Sequence, residues 1–314
     1  MKYLSKWRNI KALKLGLVIL GALSLCGRVV AQLVLSFFPQ PATAIFRPPD
    51  TGKVLLRNAA LVITADPKLG EGVLGLIEKG DVLFEDDKIV AVGQNITDHD
   101  ATVIDVTGKI VLPGFVDTHN HLWQSLIRGC GADKALLPWL KECVFPMRDI
   151  ISKESAYAGV RLSTLDIIAT GVTTVLDDSH SFTPEFTRGN LRALKDSGLR
   201  FVYAYCGSED AETIADIKQV KKEIIDPNPL ARMQVCSHPL IDRVEELTIL
   251  AKLAKELDVP FNVHLLENIE QRNDEPIKAL ELAGAFEHSL VVNHAVHLTD
   301  DEIALLAEKD AMFS

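Results

Sequence analysis

The stretch Lys109-Ile110-Val111-Leu112-Pro113-Gly114-Phe115-Val116-Asp117-Thr118-His119-Asn120-His121 decides how this chain is read. An apolar run, Ile110–Val116, ends in two histidines spaced i, i+2. On a strand, side chains at that spacing share one side. Two imidazoles on one side of a buried strand's end form half of a site for a divalent metal. A lone H-x-H reads as two polar residues in a turn. Here the pair follows V-L-P-G-F-V-D, and further histidines recur at later strand ends.

Outward from that stretch, the pattern is strand, helix, strand, helix. Candidate strands are Ile110–Val116, Val172–Leu176, Arg200–Tyr205, Met233–Cys236, Phe261–Leu265 and Leu290–Val292. Asp242-Arg243-Val244-Glu245 resembles a capping box, followed by Val244, Leu247, Leu250, Ala251, Ala254 and Leu257 at helical spacing. Thr299-Asp300-Asp301-Glu302 opens another helix in the same way. This alternation predicts parallel strands joined by crossover helices. No G-x-G-x-x-G follows any strand, so a dinucleotide-binding fold has no support. Polar residues at the strand C-termini favour a (β/α)8 TIM-like barrel. Six strands are legible, and Asp310–Ser314 reads as the start of a seventh, so the reading is of an incomplete barrel in a C-terminally truncated chain.

Before the barrel, residues 45–112 carry short β-type runs: Val54–Leu56, Ala60–Thr64, Asp81–Phe84 and Lys88–Val92. Glu85-Asp86-Asp87-Lys88 predicts a hairpin between the last two. These runs predict a small N-terminal β-sandwich module with no chemistry of its own. The domain reading is therefore 1–44, 45–112 and 113–314.

Residues 1–44 read as a signal peptide or membrane anchor. Lys2, Lys6, Arg8, Lys11 and Lys14 precede the apolar run Leu15–Cys26, and a second apolar run spans Val29–Phe38. Ala42-Thr43-Ala44 is a candidate cleavage site. Arg28 would be costly in the middle of a span. The reading is a secreted, periplasmic or membrane-anchored protein; a cytoplasmic enzyme with a misassigned start is the alternative.

The chain has 314 residues, 47% hydrophobic, and a net charge of −10. The acidic balance and the lack of a basic cluster after the N-terminal segment argue against a nucleic-acid partner. Five cysteines, Cys26, Cys130, Cys143, Cys206 and Cys236, form no C-x-x-C pair and give no zinc-ribbon signal and no small-domain disulfide framework. Their odd number argues that at least one is a free thiol.

There are nine histidines. His119, His121, His180, His238, His264, His294 and His297 fall at or just beyond candidate strand ends, where barrel active sites sit. Together with Gly171-Val172-Thr173-Thr174-Val175, Val263-His264-Leu265-Leu266-Glu267 and Asn293-His294-Ala295-Val296-His297-Leu298, the opening stretch resembles the amidohydrolase superfamily. It is most similar to the mononuclear branch of cytosine, guanine, 8-oxoguanine and S-adenosylhomocysteine deaminases and the atrazine chlorohydrolases. The resemblance covers roughly residues 53–314.

That resemblance implies His119, His121 and His264 as metal ligands and His294 as the histidine that holds the attacking hydroxide. It implies Glu267 as the acid that shuttles protons between metal-activated water and a ring nitrogen. The family's last ligand, an aspartate on the eighth strand, has no counterpart before Ser314. Two-metal relatives carry a carboxylated lysine on the fourth strand; Met233–Pro239 contains none, which implies one divalent ion, zinc first and iron second. Trp123, Gln124 and Arg128, on the first loop, and His238 are implied substrate contacts. His180 and His297 read as supporting residues and Trp139 as a helix packing residue.

The chemistry suits these residue types. Neutral imidazoles and a carboxylate leave zinc an open position for water, whose pKa falls towards ~7. Attack on an sp² ring carbon needs a proton delivered to the ring nitrogen, which a nearby carboxyl can supply. The expected function is a metal-dependent hydrolase that deaminates or dechlorinates an aromatic nitrogen heterocycle, its partner being that small molecule, with a homo-oligomer as an open alternative. A cyclic amide or imidazolone hydrolase is the second reading. A catalytically incompetent fragment with a binding or structural role is the third.

Overall fold

The structure is a computed structural model and describes residues 52–314; the leader reading of residues 1–44 lies outside the described residues. The chain divides into two compact units, the first ending at Leu112 and the second running Pro113–Ser314.

The first unit holds two small sheets. One contains β1 (Lys53–Arg57), β4 (Asp81–Glu85), β5 (Lys88–Gly93) and β6 (Thr102–Asp105), in the order β5-β4-β1-β6. The other contains β2 (Leu61–Ile63), β3 (Leu76–Glu78) and β7 (Ile110–Val111), in the order β3-β2-β7. Ala59, Val62, Val82 and Val106 form its core. β4 and β5 are the antiparallel pair on either side of Asp86-Asp87, where the hairpin was expected. Asp81 is buried and accepts from the backbone N–H groups of Asn58 and Ile96, at 2.8 and 2.9 Å, so its carboxylate ties two loops to β4.

In the second unit seven parallel strands form one sheet, ordered by sequence: β8 (Phe115–Asn120), β9 (Val172–Ser179), β10 (Arg200–Cys206), β11 (Ala231–Ser237), β12 (Phe261–Leu265), β13 (Leu290–His294) and β14 (Met312–Phe313). Sequential parallel strands with crossover helices build a curled half-barrel of the TIM type. The Ser314 hydroxyl donates to the Thr118 carbonyl on β8.

One expected strand is corrected. Ile110–Val116 is not continuous: Ile110 and Val111 pair with β2, and the barrel strand begins at Phe115. Pro113 lacks the N–H a ladder needs, which explains the break. Gly114 is required there by space, since a Cβ would lie 2.2 Å from Thr173 Oγ1. β3 and β6 were not legible; both are short, and β6 is largely exposed.

The helices bury the faces their spacing predicts. Along Val244–Glu256, Leu247, Leu250, Ala251 and Ala254 enter the core. Its start is a second correction. A 3-10 turn, Ile241–Arg243, precedes it, and no side chain caps it, so Asp242 does not form the expected box. Thr299 and Glu302 do form a reciprocal capping box on Asp300–Glu308. Among the described residues no helix is long and apolar enough to cross a membrane.

Candidate metal centre

The C-terminal ends of β8, β9, β11, β12 and β13 bring the chemistry together. His119 lies on β8 and His121 directly follows it; His264 and His294 lie on β12 and β13. Register explains the meeting, since Leu265 of β12 pairs with His294 of β13. His294 and Ala295 take positive φ values of 66° and 51°, as does Leu266 at 49°. Non-glycine residues rarely hold that conformation, and it clusters at functional sites. Here it turns the chain sharply just where His294 and Glu267 must face inward.

Donor atoms of His119, His264 and His294 all lie within 4.8 Å of one another. Ring centroids are 5.0 Å apart for His119–His264, 4.6 Å for His119–His294 and 5.3 Å for His264–His294. His119 Nε2, His264 Nδ1 and His294 Nε2 are buried and have no hydrogen-bond partner. So are both carboxylate oxygens of Asp178, a residue only 1% exposed. Orphaned polar atoms at this density cost several kcal/mol unless a ligand satisfies them. A buried carboxylate among imidazole nitrogens is the donor set of a divalent cation, so these residues fit the metal that the sequence implied.

The electrostatics keep most of the imidazoles neutral, as ligation requires. Burial holds His264 well below the ordinary histidine range, and the neighbouring imidazoles of His238, His121, His119 and His294 add to the effect. Burial, with His119 and His121 nearby, pushes His294 down to about 4. His119 differs. Burial opposes its protonation, but the Asp178 carboxylate, Asn293 and Glu267 outweigh it and raise the group. His119 Nδ1 lies 2.8 Å from Asp178 Oδ2, a close contact that is poorly aligned for a hydrogen bond.

His121 stands beside the convergent trio rather than in it. The expected ligands were His119, His121 and His264; the converging donors are those of His119, His264 and His294. His121 Nδ1 lies 2.5 Å from the Asp178 carbonyl and donates to it, which fixes the ring, and its centroid is 4.9 Å from that of His119. A backbone acceptor on the second nitrogen is also how metal-binding histidines are oriented.

Glu267 Oε2 is 3.8 Å from His294 Nε2. With His294 neutral at pH 7, this is proximity and not an ion pair. Burial raises the Glu267 carboxyl, so it holds a proton more readily than a surface glutamate. Glu267 also borders a cavity of about 490 Å³ with Gln124, Arg128, Lys134 and Trp139.

A match to the amidohydrolase family spans residues 110–314. The chain belongs to the amidohydrolase family. Enzymes of this family are metal-dependent, and the histidine cluster is where this amidohydrolase chain can hold a metal. A 5'-deoxyadenosine deaminase of Methanothrix thermoacetophila is 31% identical over 265 residues, covering 82% of this chain and 60% of that protein. A 5-methylthioadenosine/S-adenosylhomocysteine deaminase of Bacillus cereus is 31% identical over 254 residues, covering 75% and 58%. The chain thus spans about three fifths of the length of these curated relatives. Its fold is that of a guanine deaminase from C. acetobutylicum, with a TM-score of 0.72 at 19% identity over 83% of this chain and 67% of that one. A triazine hydrolase from Arthobacter aurescens gives a TM-score of 0.69 at 23% identity, over 83% and 64%.

The remaining expected residues divide. Gln124 and Arg128 line the cavity, with Gln124 Nε2 buried and unpartnered, while Arg128 reaches Asp166 at 2.7 Å. Trp123 is placed differently from the expectation of a substrate contact. It is fully buried in the core, and its Nε1 donates to His180 Nδ1 at 3.0 Å. An indole on the first loop can point in or out, and here the apolar packing against Phe182 and Phe186 wins. His238 opens to solvent while its ring stacks on His264, with centroids 5.2 Å apart. Trp139 lines the cavity as well as packing on the core.

Sequence reasoning missed three participants. Asp178 sits in an Asp177-Asp178-Ser179-His180 run whose spacing gives no hint which carboxyl faces His119. An amide ladder crosses β11, β12 and β13: Asn293 Nδ2 donates to Asn262 Oδ1, and Asn262 Nδ2 to Gln234 Oε1, both at 2.7 Å. Its signal was the presence of buried-strand amides at positions otherwise apolar. The third is Cys236, whose sulfur lies within 4.8 Å of donors from Asp178 and His264, and which is bonded to Cys206.

Proposed function

We propose that this site removes an amino group from an aromatic nitrogen heterocycle by hydrolysis. The observation that carries the reading is the convergence of three histidine donors, with Glu267 facing His294 beside an open cavity. The relatives' names point to a 6-aminopurine nucleoside altered at its 5' position as the first substrate class to try. A chlorinated ring, as in the broader expectation from sequence, remains a substrate to assay.

His119, His264 and His294, with His121 adjacent, would hold one divalent ion, for which zinc suits the nitrogen-rich donors and iron is the second choice. Bound there, it would supply a nucleophile of hydroxide strength at neutral pH. The chain's own residues supply the rest. Glu267 takes the proton of the attacking water at a carboxylate oxygen and delivers it to the ring nitrogen. The carboxylate then takes the proton of the hydroxyl now on the ring carbon and delivers it to the amine, so that a C=O bond forms as the C–N bond breaks and ammonia leaves. Gln124 and Trp139 form the wall against which a planar ring can lie.

We also propose an exported protein. The basic-then-apolar Met1–Phe38 segment supports this, and so do the disulfides Cys130–Cys143 and Cys206–Cys236, which persist in oxidising compartments.

The test is ammonia release from a panel of aminopurine nucleosides, guanine, cytosine and aminotriazines, and chloride release from chlorotriazines. Activity should vanish on chelation and return with zinc. Turnover that survives complete metal removal, with no bound metal by elemental analysis, overturns the reading.

A further inference from the structure

Cys236 occupies the end of β11 and is fully buried, whereas its disulfide partner Cys206, directly across on β10, is half-buried. The sulfur of Cys236, a carboxylate oxygen of Asp178 and a ring nitrogen of His264 lie within 4.8 Å of one another. Both Asp178 oxygens and His264 Nδ1 are buried without a hydrogen-bond partner. A disulfide sulfur is a poor ligand, while a thiolate is among the strongest for zinc and cobalt. The bond to Cys206 therefore withholds a donor from a set that is otherwise assembled.

We propose that the Cys206–Cys236 disulfide masks a metal ligand. Its reduction frees Cys236 to join Asp178 and His264 in a sulfur-containing divalent-metal site that shares His264 with the histidine trio. The exposure of the two cysteines orders the chemistry. A thiolate of an external dithiol attacks the more accessible Cys206 Sγ, the Sγ–Sγ bond breaks, and its electron pair stays on Cys236 Sγ. The reagent's second thiol then closes on the mixed disulfide and releases Cys206, which takes up a proton. The reagent leaves as a cyclic disulfide, having given two electrons. Of its two protons, one ends on Cys206, and the other passes to solvent because a coordinated thiol is deprotonated. Metal binding and reduction are thereby linked: a cation offsets the repulsion between the new thiolate and Asp178, so each favours the other.

The inference rests on the histidine cluster being a metal centre, and the experiment separates the two. The full chain is loaded with cobalt(II) while oxidised and again after reduction by a phosphine, which transfers the same two electrons and leaves no thiol behind. Thiolate-to-cobalt charge transfer in the near ultraviolet should be absent from the oxidised chain and appear on reduction. Cys206→Ser should show it without any reductant, and Cys236→Ser should lack it in both states. Cobalt bound in the reduced wild type without that absorption overturns this inference alone, and so does the absorption in reduced Cys236→Ser. Failure to bind cobalt in either state overturns the metal centre and this inference with it. Reduced wild type gives the same readout if Cys206→Ser folds poorly.

Discussion

Glu267 and His294 approach to 3.8 Å, and the proposed reaction turns on the proton that Glu267 would carry. Glutamine at 267 keeps the size and hydrogen bonding of the side chain and removes the transferable proton. Glu267→Gln should therefore keep its metal and lose about 10²–10⁴ in kcat. His264→Ala should lose metal and activity together. Metal content and turnover on both variants decide it, and near-normal turnover of Glu267→Gln would sink the assignment. Asp177 makes a second residue-scale case. It is fully buried, accepts from Leu122 N at 3.0 Å, and burial pushes it up to about 7. In the unfolded chain the same carboxyl titrates near ~3.9. Between those values the folded state holds a proton the unfolded state has lost, so stability falls as pH rises from ~4 to about 7 and is flat above, at a slope of at most about 1.4 kcal/mol per pH unit. Asp177→Asn keeps the acceptor for Leu122 and should abolish that fall. Denaturant midpoints of both chains in chelator from pH 5 to 8 should diverge; parallel curves would remove Asp177 from the account. The histidines were legible because strand-end spacing puts them on one side. Asp178 was not, because only the register of β9 beside β8 tells which of two consecutive carboxyls meets His119.

The Lys153–Ala169 and Pro184–Ser197 helices touch through a glycine. A Cβ on Gly189 would lie 2.3 Å from the Lys153 carbonyl oxygen and 3.1 Å from Ala156 Cβ. The first of those atoms is backbone and cannot swing away. Gly189→Ala should therefore destabilise the barrel unit by about 1–3 kcal/mol despite alanine's better helix propensity. Chemical denaturation of the variant gives the number, and an increase in stability would show that the helices separate freely. The same helix begins with Thr183, whose side chain accepts from Phe186 N at 3.1 Å, a local signal of the kind sequence carries well. Capping is legible when the capping residue stands directly before the helix it caps. Thr299 does so. Asp242 does not, since a 3-10 turn runs through it and moves the helix start to Val244. The split of Ile110–Val116 has a comparable cause. Periodicity sees one apolar run, but Pro113-Gly114 ends one sheet's strand and starts another's, and hydrophobicity alone is blind to which sheet a strand joins.

At the scale of the whole molecule, compartment and covalent structure constrain each other. Cys130–Cys143 closes the loop that carries Gly131, Ala132, Lys134, Leu136 and Trp139, one wall of the cavity beside Glu267. Cys206–Cys236 ties β10 to β11 under the metal donors. Neither pairing was legible, because cysteine spacing gives no connectivity and each bond joins partners that only the fold brings together. Both bonds would be reduced in a cytosol and kept in an exported protein. The N-terminal reading and the disulfides therefore stand on independent residues and point to the same place. Expressed in its native host, the protein should fractionate outside the cytoplasm or with membrane. N-terminal sequencing of a processed form should begin near Ile45. Thiol labelling of protein trapped directly in acid should find the Cys130–Cys143 and Cys206–Cys236 pairs unlabelled until reduction. A soluble cytoplasmic product that retains Met1 and labels at Cys130, Cys143, Cys206 and Cys236 without reduction would refute export. It would also put the chain in the reduced state, where Cys236 is free to bind metal.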